Sequence, residues 1–407
     1  MVRDLQLMKD ITPLFGKKLV IWGIGKRGHA VLEEIISMGA GGNGIFLCDS
    51  DCKKWGSVVC GQFKIWNPIE LYNELQETDL RDIVILVPIV STTVQDEILG
   101  SIRQIYGEKV TVYTDYAIEY GMYLNMNHPC IRNEYRIKKL HERERKIKEL
   151  EEHRFKDRFM LEQRERVLKY FTFLPLHNDE IILVYQCGKV GSVSVYNSIA
   201  SAGRNVLHCH DLTGIRDNDD DLYRLINLKS GKIICLVRDP VARGISAMWQ
   251  NIHRSIYYHG IDVGFPDLDS WCLSAIADNC EFHWFDEQMK AVFHIDVFGH
   301  KFDQENGYSI IRDGNIELLL IKLERLNKLE DVIGKFLNIG QFHLQSGNVG
   351  GEKSYRFALQ DYKKEFCISE ELLKKVYKDD KCIKHFYTEQ ECQNLYEKWR
   401  KCVPGKK

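Results

Sequence analysis

Short apolar runs separated by amphipathic stretches recur along the chain with the alternation that βαβ units require. In the first 125 or so residues, strands are expected at KLVIWG (18–23), GIFLCD (44–49), DIVILV (82–87) and VTVYT (110–114). Between the first two, HAVLEEIISMG has helical spacing and ends at Gly39. The alternation resumes with IILVYQ (181–186), NVLHCH (205–210), KIICLV (232–237) and LLLIKL (318–323). Runs this apolar belong in sheets covered on both faces, so the pattern predicts two α/β domains built on parallel sheets. The last 45 or so residues carry helical spacing.

Between the two sets of strands the pattern breaks. From Asn133 to Lys169 there is no Gly or Pro and both charge signs are dense, which predicts one long charged helix. Leu140, Ile147 and Leu150 suggest a heptad, but Glu144 and Glu151 fill the alternate core position. The helix therefore reads as a solvated spacer, with an oligomerisation helix as the alternative. The expected domains are 1–128 and 173–407, joined by a linker over 129–172. A chain of 407 residues is long enough for two cores.

A net charge of −2 provides no global field for nucleic acid or an anionic membrane, so any anion site must be local. No stretch of about 18 apolar residues is present, and the first 30 or so residues lack the plan of a signal peptide. A cytoplasmic protein without a membrane span is expected. The 13 cysteines are scattered with no C-x-x-C pair, which favours reduced thiols over disulfides or a metal site.

The candidate chemistry lies where VYQCGKVGSVSVYNSI (184–199) leaves a buried strand and enters a helix. Ligands of parallel sheets bind at the carboxyl ends of strands, where the first-turn amides of the next helix point back at the loop. Gly188 and Gly191 allow close backbone approach, with Val190 and Val193 between the polar positions. Lys189 adds a charge, and Ser192 and Ser194 add hydroxyls. Phosphate or sulfate is the natural guest. The order is not that of a Walker A loop, because Lys189 precedes Gly191. A second element, KIICLVRDPVARGISAMW (232–249), is a buried strand followed by Asp239 as helix cap and Pro240 at the first helical position.

Together the two elements resemble the sulfotransferases that use 3′-phosphoadenosine 5′-phosphosulfate (PAPS), whose fold is P-loop-like. K-x-G-[ST]-x-S is similar to their 5′-phosphosulfate loop. R-D-P-x-x-R-x-x-S, here Arg238, Arg243 and Ser246, is similar to their 3′-phosphate segment. The resemblance covers residues 178 to about 365 and is nearest to bacterial capsular polysaccharide synthesis proteins of the sulfotransferase type. It implies Lys189 on the bridging oxygen and Arg238 and Ser246 on the 3′-phosphate. NVGGEKSYRF (348–357), with Lys353 and Tyr355, would close over the nucleotide, although it departs from the basic glycine loop of other sulfotransferases. His208 and His210 fall on one face by strand alternation and resemble the H-x-H of glycan 2-O-sulfotransferases. The expected base is His210, with His208 behind it. Glu281 is the rival, as in some N-sulfotransferases, and Trp284 and Phe285 read as core.

In the first domain, VIWGIGKRGHAVLEEI (20–35) places Gly23, Gly25 and Gly28 as G-x-G-x-x-G between a strand and a helix, and Asp49 ends the next strand. This is the Rossmann-like dinucleotide fingerprint. The following F-x-x-D-x-D resembles the nucleotide-sugar-binding domain of bacterial sugar acyltransferases. Either a UDP-sugar or NAD occupies this turn, or the glycines serve packing alone.

The reading is a sulfotransferase that passes sulfate from PAPS to a glycan or nucleotide-sugar hydroxyl. The alternatives are a kinase-like transferase, disfavoured by the lysine order, and a non-catalytic nucleotide-sugar-binding scaffold.

Overall fold

Five consecutive apolar residues with no polar break form the strands Ile83–Val87 and Ile181–Tyr185, and every one is buried. Both sit inside mostly parallel sheets, in a mixed α/β architecture. The computed structural model describes residues 1–152, 162, 165–171, 180–213, 223, 226–227, 230–258, 268–277, 283–345 and 353–403. Among these, no helix is long and apolar enough to cross a membrane.

The chain divides into two units. In the amino-terminal unit, β1 (Lys18–Trp22), β2 (Ile45–Cys48), β3 (Val58–Val59), β4 (Phe63–Trp66), β5 (Ile83–Val87) and β6 (Thr111–Thr114) form a sheet ordered β3-β4-β2-β1-β5-β6. All neighbours are parallel except β3 with β4. The sheet grows one way from β1 and then the other, so its direction reverses between β1 and β5. Val20, Ile85, Ile102 and Val112 lie in one buried cluster. The helix Lys26–Met38 stops at Gly39, whose φ of 86° is left-handed.

Two segments depart from the expectation of a contiguous domain and a solvated spacer. The charged helix begins as Asn133–Glu152. Near its start, Tyr135 donates a 2.7 Å hydrogen bond to Glu34 and Lys139 pairs with the same carboxylate, both side chains being buried. The helix Arg356–Glu365, late in the chain, packs with the amino-terminal unit: buried Arg356 pairs with Asp96 at 2.7 Å, and Tyr355 lies against Tyr116.

In the carboxyl-terminal unit, β7 (Ile181–Tyr185), β8 (Leu207–Cys209), β9 (Gly231–Val237), β10 (Tyr308–Asp313) and β11 (Ile316–Lys322) are ordered β10-β11-β9-β7-β8. Only β10 runs antiparallel, as a hairpin with β11. Ile182, Val184, Ile234, Leu319 and Ile333 share its buried cluster. Lys322, at the carboxyl end of β11, is fully buried. Its ammonium donates to Gln304 O at 2.7 Å and to both Glu391 oxygens at 2.7 and 2.6 Å, so each proton has an acceptor.

The amino-terminal glycines differ in what a side chain would meet. A Cβ on Gly28 would stand 2.2 Å from Gly23 O, whereas one on Gly25 would meet nothing within 4 Å. Gly28→Ala should therefore cost roughly 1–3 kcal/mol of unfolding free energy, and Gly25→Ala less than about 1 kcal/mol. Urea melts of both variants check this ordering, and equal losses would contradict it.

Candidate functional site

The loop between β7 and the helix Ser192–Ser201 is built from left-handed backbone. Gly188, Lys189 and Gly191 have φ of 92°, 63° and 80°. A non-glycine residue in that region is uncommon. Alternation of this kind turns successive amides toward one concavity that suits an anion. Gly191 is the N-cap, and no side chain caps the helix. Val190 is buried in the core, Val193 is half-buried, and Ser194 N donates to Gly191 O at 3.3 Å.

Gln186 fixes the loop to the next strand. Its side chain is fully buried, and its Nε2 lies 3.1 Å from His208 Nε2. Ser192 Oγ lies 2.9 Å from the same nitrogen. An amide nitrogen only donates, so His208 Nε2 accepts and its proton sits on Nδ1. Burial, then the charges of His210 and Arg166, push the His208 pKa down to about 4. His208 thus holds Ser192 rather than reaching outward. His210 Nδ1 donates to Gln186 O at 2.7 Å, which leaves the Nε2 lone pair free of that bond. Desolvation of the ring lowers the His210 pKa; the bond to Gln186 O opposes the shift, and Arg166 and Lys189 add to it. The two rings stand 4.9 Å apart, as the alternation predicts.

The second sequence element meets the first. Arg238, just past β9, donates from Nη1 to Lys189 O at 2.9 Å. Asp239 caps the helix Pro240–Tyr258 through Val241 N at 3.1 Å. Its buried carboxylate also accepts from Tyr377 Oη, from Trp399 Nε1 at 2.9 Å and from Lys398 Nζ at 3.4 Å. Val241, Ile245, Met248 and Ile252 form the buried stripe of that helix, as expected. Ser246 is half-buried and Arg243 is buried.

Several contributors were missed. Trp284 Nε1 donates to His210 O at 2.8 Å, and Gln288 Oε1 accepts from Leu212 N at 3.1 Å and from Tyr185 Oη. Arg166, inside the charged stretch, donates to His208 O. Position alone could have flagged Gln186, a polar residue directly after an apolar strand. Trp284 and Phe285 are buried, as core residues should be. Glu281 lies outside the described residues, and Lys353 and Tyr355 belong to the amino-terminal unit. Among the described residues, no group of three or more His, Cys, Asp or Glu side chains is placed to hold a metal ion.

At the amino-terminal glycine turn, Gly23 has φ of 109°. Asp49 accepts from Ile24 N at 2.7 Å, Asp51 N at 2.9 Å and Lys54 Nζ at 2.7 Å. Its carboxylate therefore ties the turn to the end of β2. The helix Lys26–Met38 has no side-chain cap.

Residues 268–388 match the family described as "Putative capsular polysaccharide synthesis protein". The matched stretch contains Trp284 and Gln288 and begins after both the loop and Arg238. No curated protein and no solved structure matches the chain.

Because the folded pKa of His208 lies below its unfolded value near 6.5, its contribution to stability is intact above about pH 6.5 and lost as pH falls toward 4. The carboxyl-terminal unit should lose about 2–3 kcal/mol through this group between pH 7 and pH 4.5. An NMR titration of the His208 ring should show it neutral down to about pH 4; a midpoint near 6.5 would contradict the assigned hydrogen bonds.

Proposed function

We propose that the chain is a sulfotransferase that moves sulfate from PAPS to a glycan hydroxyl in capsular or exopolysaccharide assembly. The observation that carries this reading is the 2.9 Å contact of Arg238 with Lys189 O, which joins the two phosphate-binding elements at adjacent strand ends. The polysaccharide family match over residues 268–388 supports the acceptor class.

Sulfuryl transfer proceeds through a loose in-line transition state, so positioning and charge stabilisation do most of the work. His210 Nε2 takes the proton of the acceptor hydroxyl as its oxygen attacks sulfur. The bond from sulfur to the bridging oxygen breaks, and 3′-phosphoadenosine 5′-phosphate (PAP) leaves with the electron pair. Lys189 offsets the charge on that oxygen, the amides of Ser192 and Val193 hold the 5′-phosphate, and Arg238 with Ser246 holds the 3′-phosphate. His208 is a positioning residue that orients Ser192. For the amino-terminal unit, the proposal is a UDP-sugar or dinucleotide bound where the sheet reverses between β1 and β5. Asp49, with its oxygens already engaged, would not read the ribose.

Calorimetric titration with PAP tests the donor site: Arg238→Ala should weaken binding by about 1.5–3 kcal/mol. Unchanged affinity in a folded variant would overturn the assignment. In a transfer assay, His210→Ala should lower kcat by about 10²–10⁴-fold with PAP affinity nearly intact. Near-wild-type turnover, with Glu281→Gln inactive, would move the base to Glu281.

A further inference from the structure

We propose that the carboxyl-terminal unit holds a saccharide in a cavity of about 830 Å³ whose wall includes no residue of the β7 loop. The volume falls in the range of ligand pockets, which run to about 1,000 Å³. Part-exposed Phe298 and His385 supply its ring surface, centred 5.2 Å apart over the buried Phe302. His300, Lys301 and Lys384 form an exposed polar rim. Burial lowers the pKa of His385, so its ring is neutral, and among the described residues its buried Nε2 has no hydrogen-bond partner. Apolar ring faces beside scattered single polar groups match a sugar, which has an apolar C–H face and hydroxyls around its edge.

The charge balance argues against an anionic guest. Lys301 and Lys384 are offset by Asp303 and Glu305 in the same wall, so no net positive field attracts a polyphosphate. Asp303 is held ionised by Asn306, whose N and Nδ2 donate to it at 3.0 and 2.7 Å. Such a carboxylate repels phosphate and accepts from hydroxyls.

A neighbouring cavity of about 620 Å³ shares Gln304 and Lys384 with the first and adds Tyr377 and Tyr387. The hydroxyls of these tyrosines are committed to Asp239 and Glu324 and both side chains are buried, so the exposed Lys378, Glu389 and Gln393 of its wall are what it offers a guest. Two adjoining cavities suit linked rings better than a single small molecule. Every wall residue of the first cavity lies within residues 268–388, the stretch shared with the polysaccharide-synthesis family. The inference stands whether or not the β7 loop binds PAPS.

The test is saturation-transfer NMR on the full chain, without nucleotide. The probe is the oligosaccharide pool released by mild acid from the surface polysaccharide of the cells that make the protein. Wild type should saturate the sugar protons at millimolar probe. The double variant Lys301→Ala/Lys384→Ala should weaken binding at least tenfold while PAP titration stays unchanged. His300→Ala, on the same rim, serves if the double variant melts early. No transfer from wild type overturns the proposal, as does undiminished transfer in a variant that melts like wild type. Displacement of the sugar by inorganic phosphate would also overturn it, because the cavity would then be an anion site. Loss of PAP binding with sugar binding retained would count only against the sulfotransferase reading.

Discussion

Between the last residue of β7 and the first of the helix Ser192–Ser201 the chain reverses in six residues, which puts Gly188, Lys189 and Gly191 at positive φ. A lysine is not at ease there, so the turn holds only because it is fixed from both sides. On one side, Gln186 bonds to His208 and His210; on the other, Arg238 holds the Lys189 carbonyl. A Cβ on Gly191 would stand 2.5 Å from Leu323 Cδ1, which leaves little room for another residue at the cap. The turn sets where the helix amides point, and so which ligand the strand ends can receive.

The supports of this turn come from distant parts of the chain. Asp239 stands next to Arg238 and is gripped by Tyr377, Trp399 and Lys398, while its own N–H donates to Glu324 at 3.0 Å. Glu324 in turn accepts from Tyr387. The terminal helices are therefore part of what positions the guanidinium. Trp284 and Gln288 do the same for the strand end that carries His210. A buried hub of this kind is costly to disturb, because each lost acceptor leaves a desolvated donor behind.

The long parallel strands were legible because a strand buried on both faces is nearly continuously apolar, and the glycine turn was legible because few residues other than glycine accept positive φ. The strands β3, β4 and β10 were not recognised: two are too short for a period to show, and β10 is a sheet edge in which only Ile311 is buried. At the site, the alternation of His208 and His210 could be read directly. The grip of Gln186, Arg166 and Trp284 could not, since it depends on contacts between residues 22 to 74 positions apart. Lys322 shows the same limit: in the apolar run LLLIKL nothing announces a buried lysine, and its partner Glu391 lies 69 residues away.

One ligand should engage two separated segments through a single turn, and hydrogen–deuterium exchange measures that most directly. With saturating PAP, protection should rise at the amides of residues 187–195 and at the start of the helix Pro240–Tyr258, with β8 beyond His208 changing little. PAP binding that left residues 187–195 exchanging as in the free protein would contradict the central claim that this turn is the anion site.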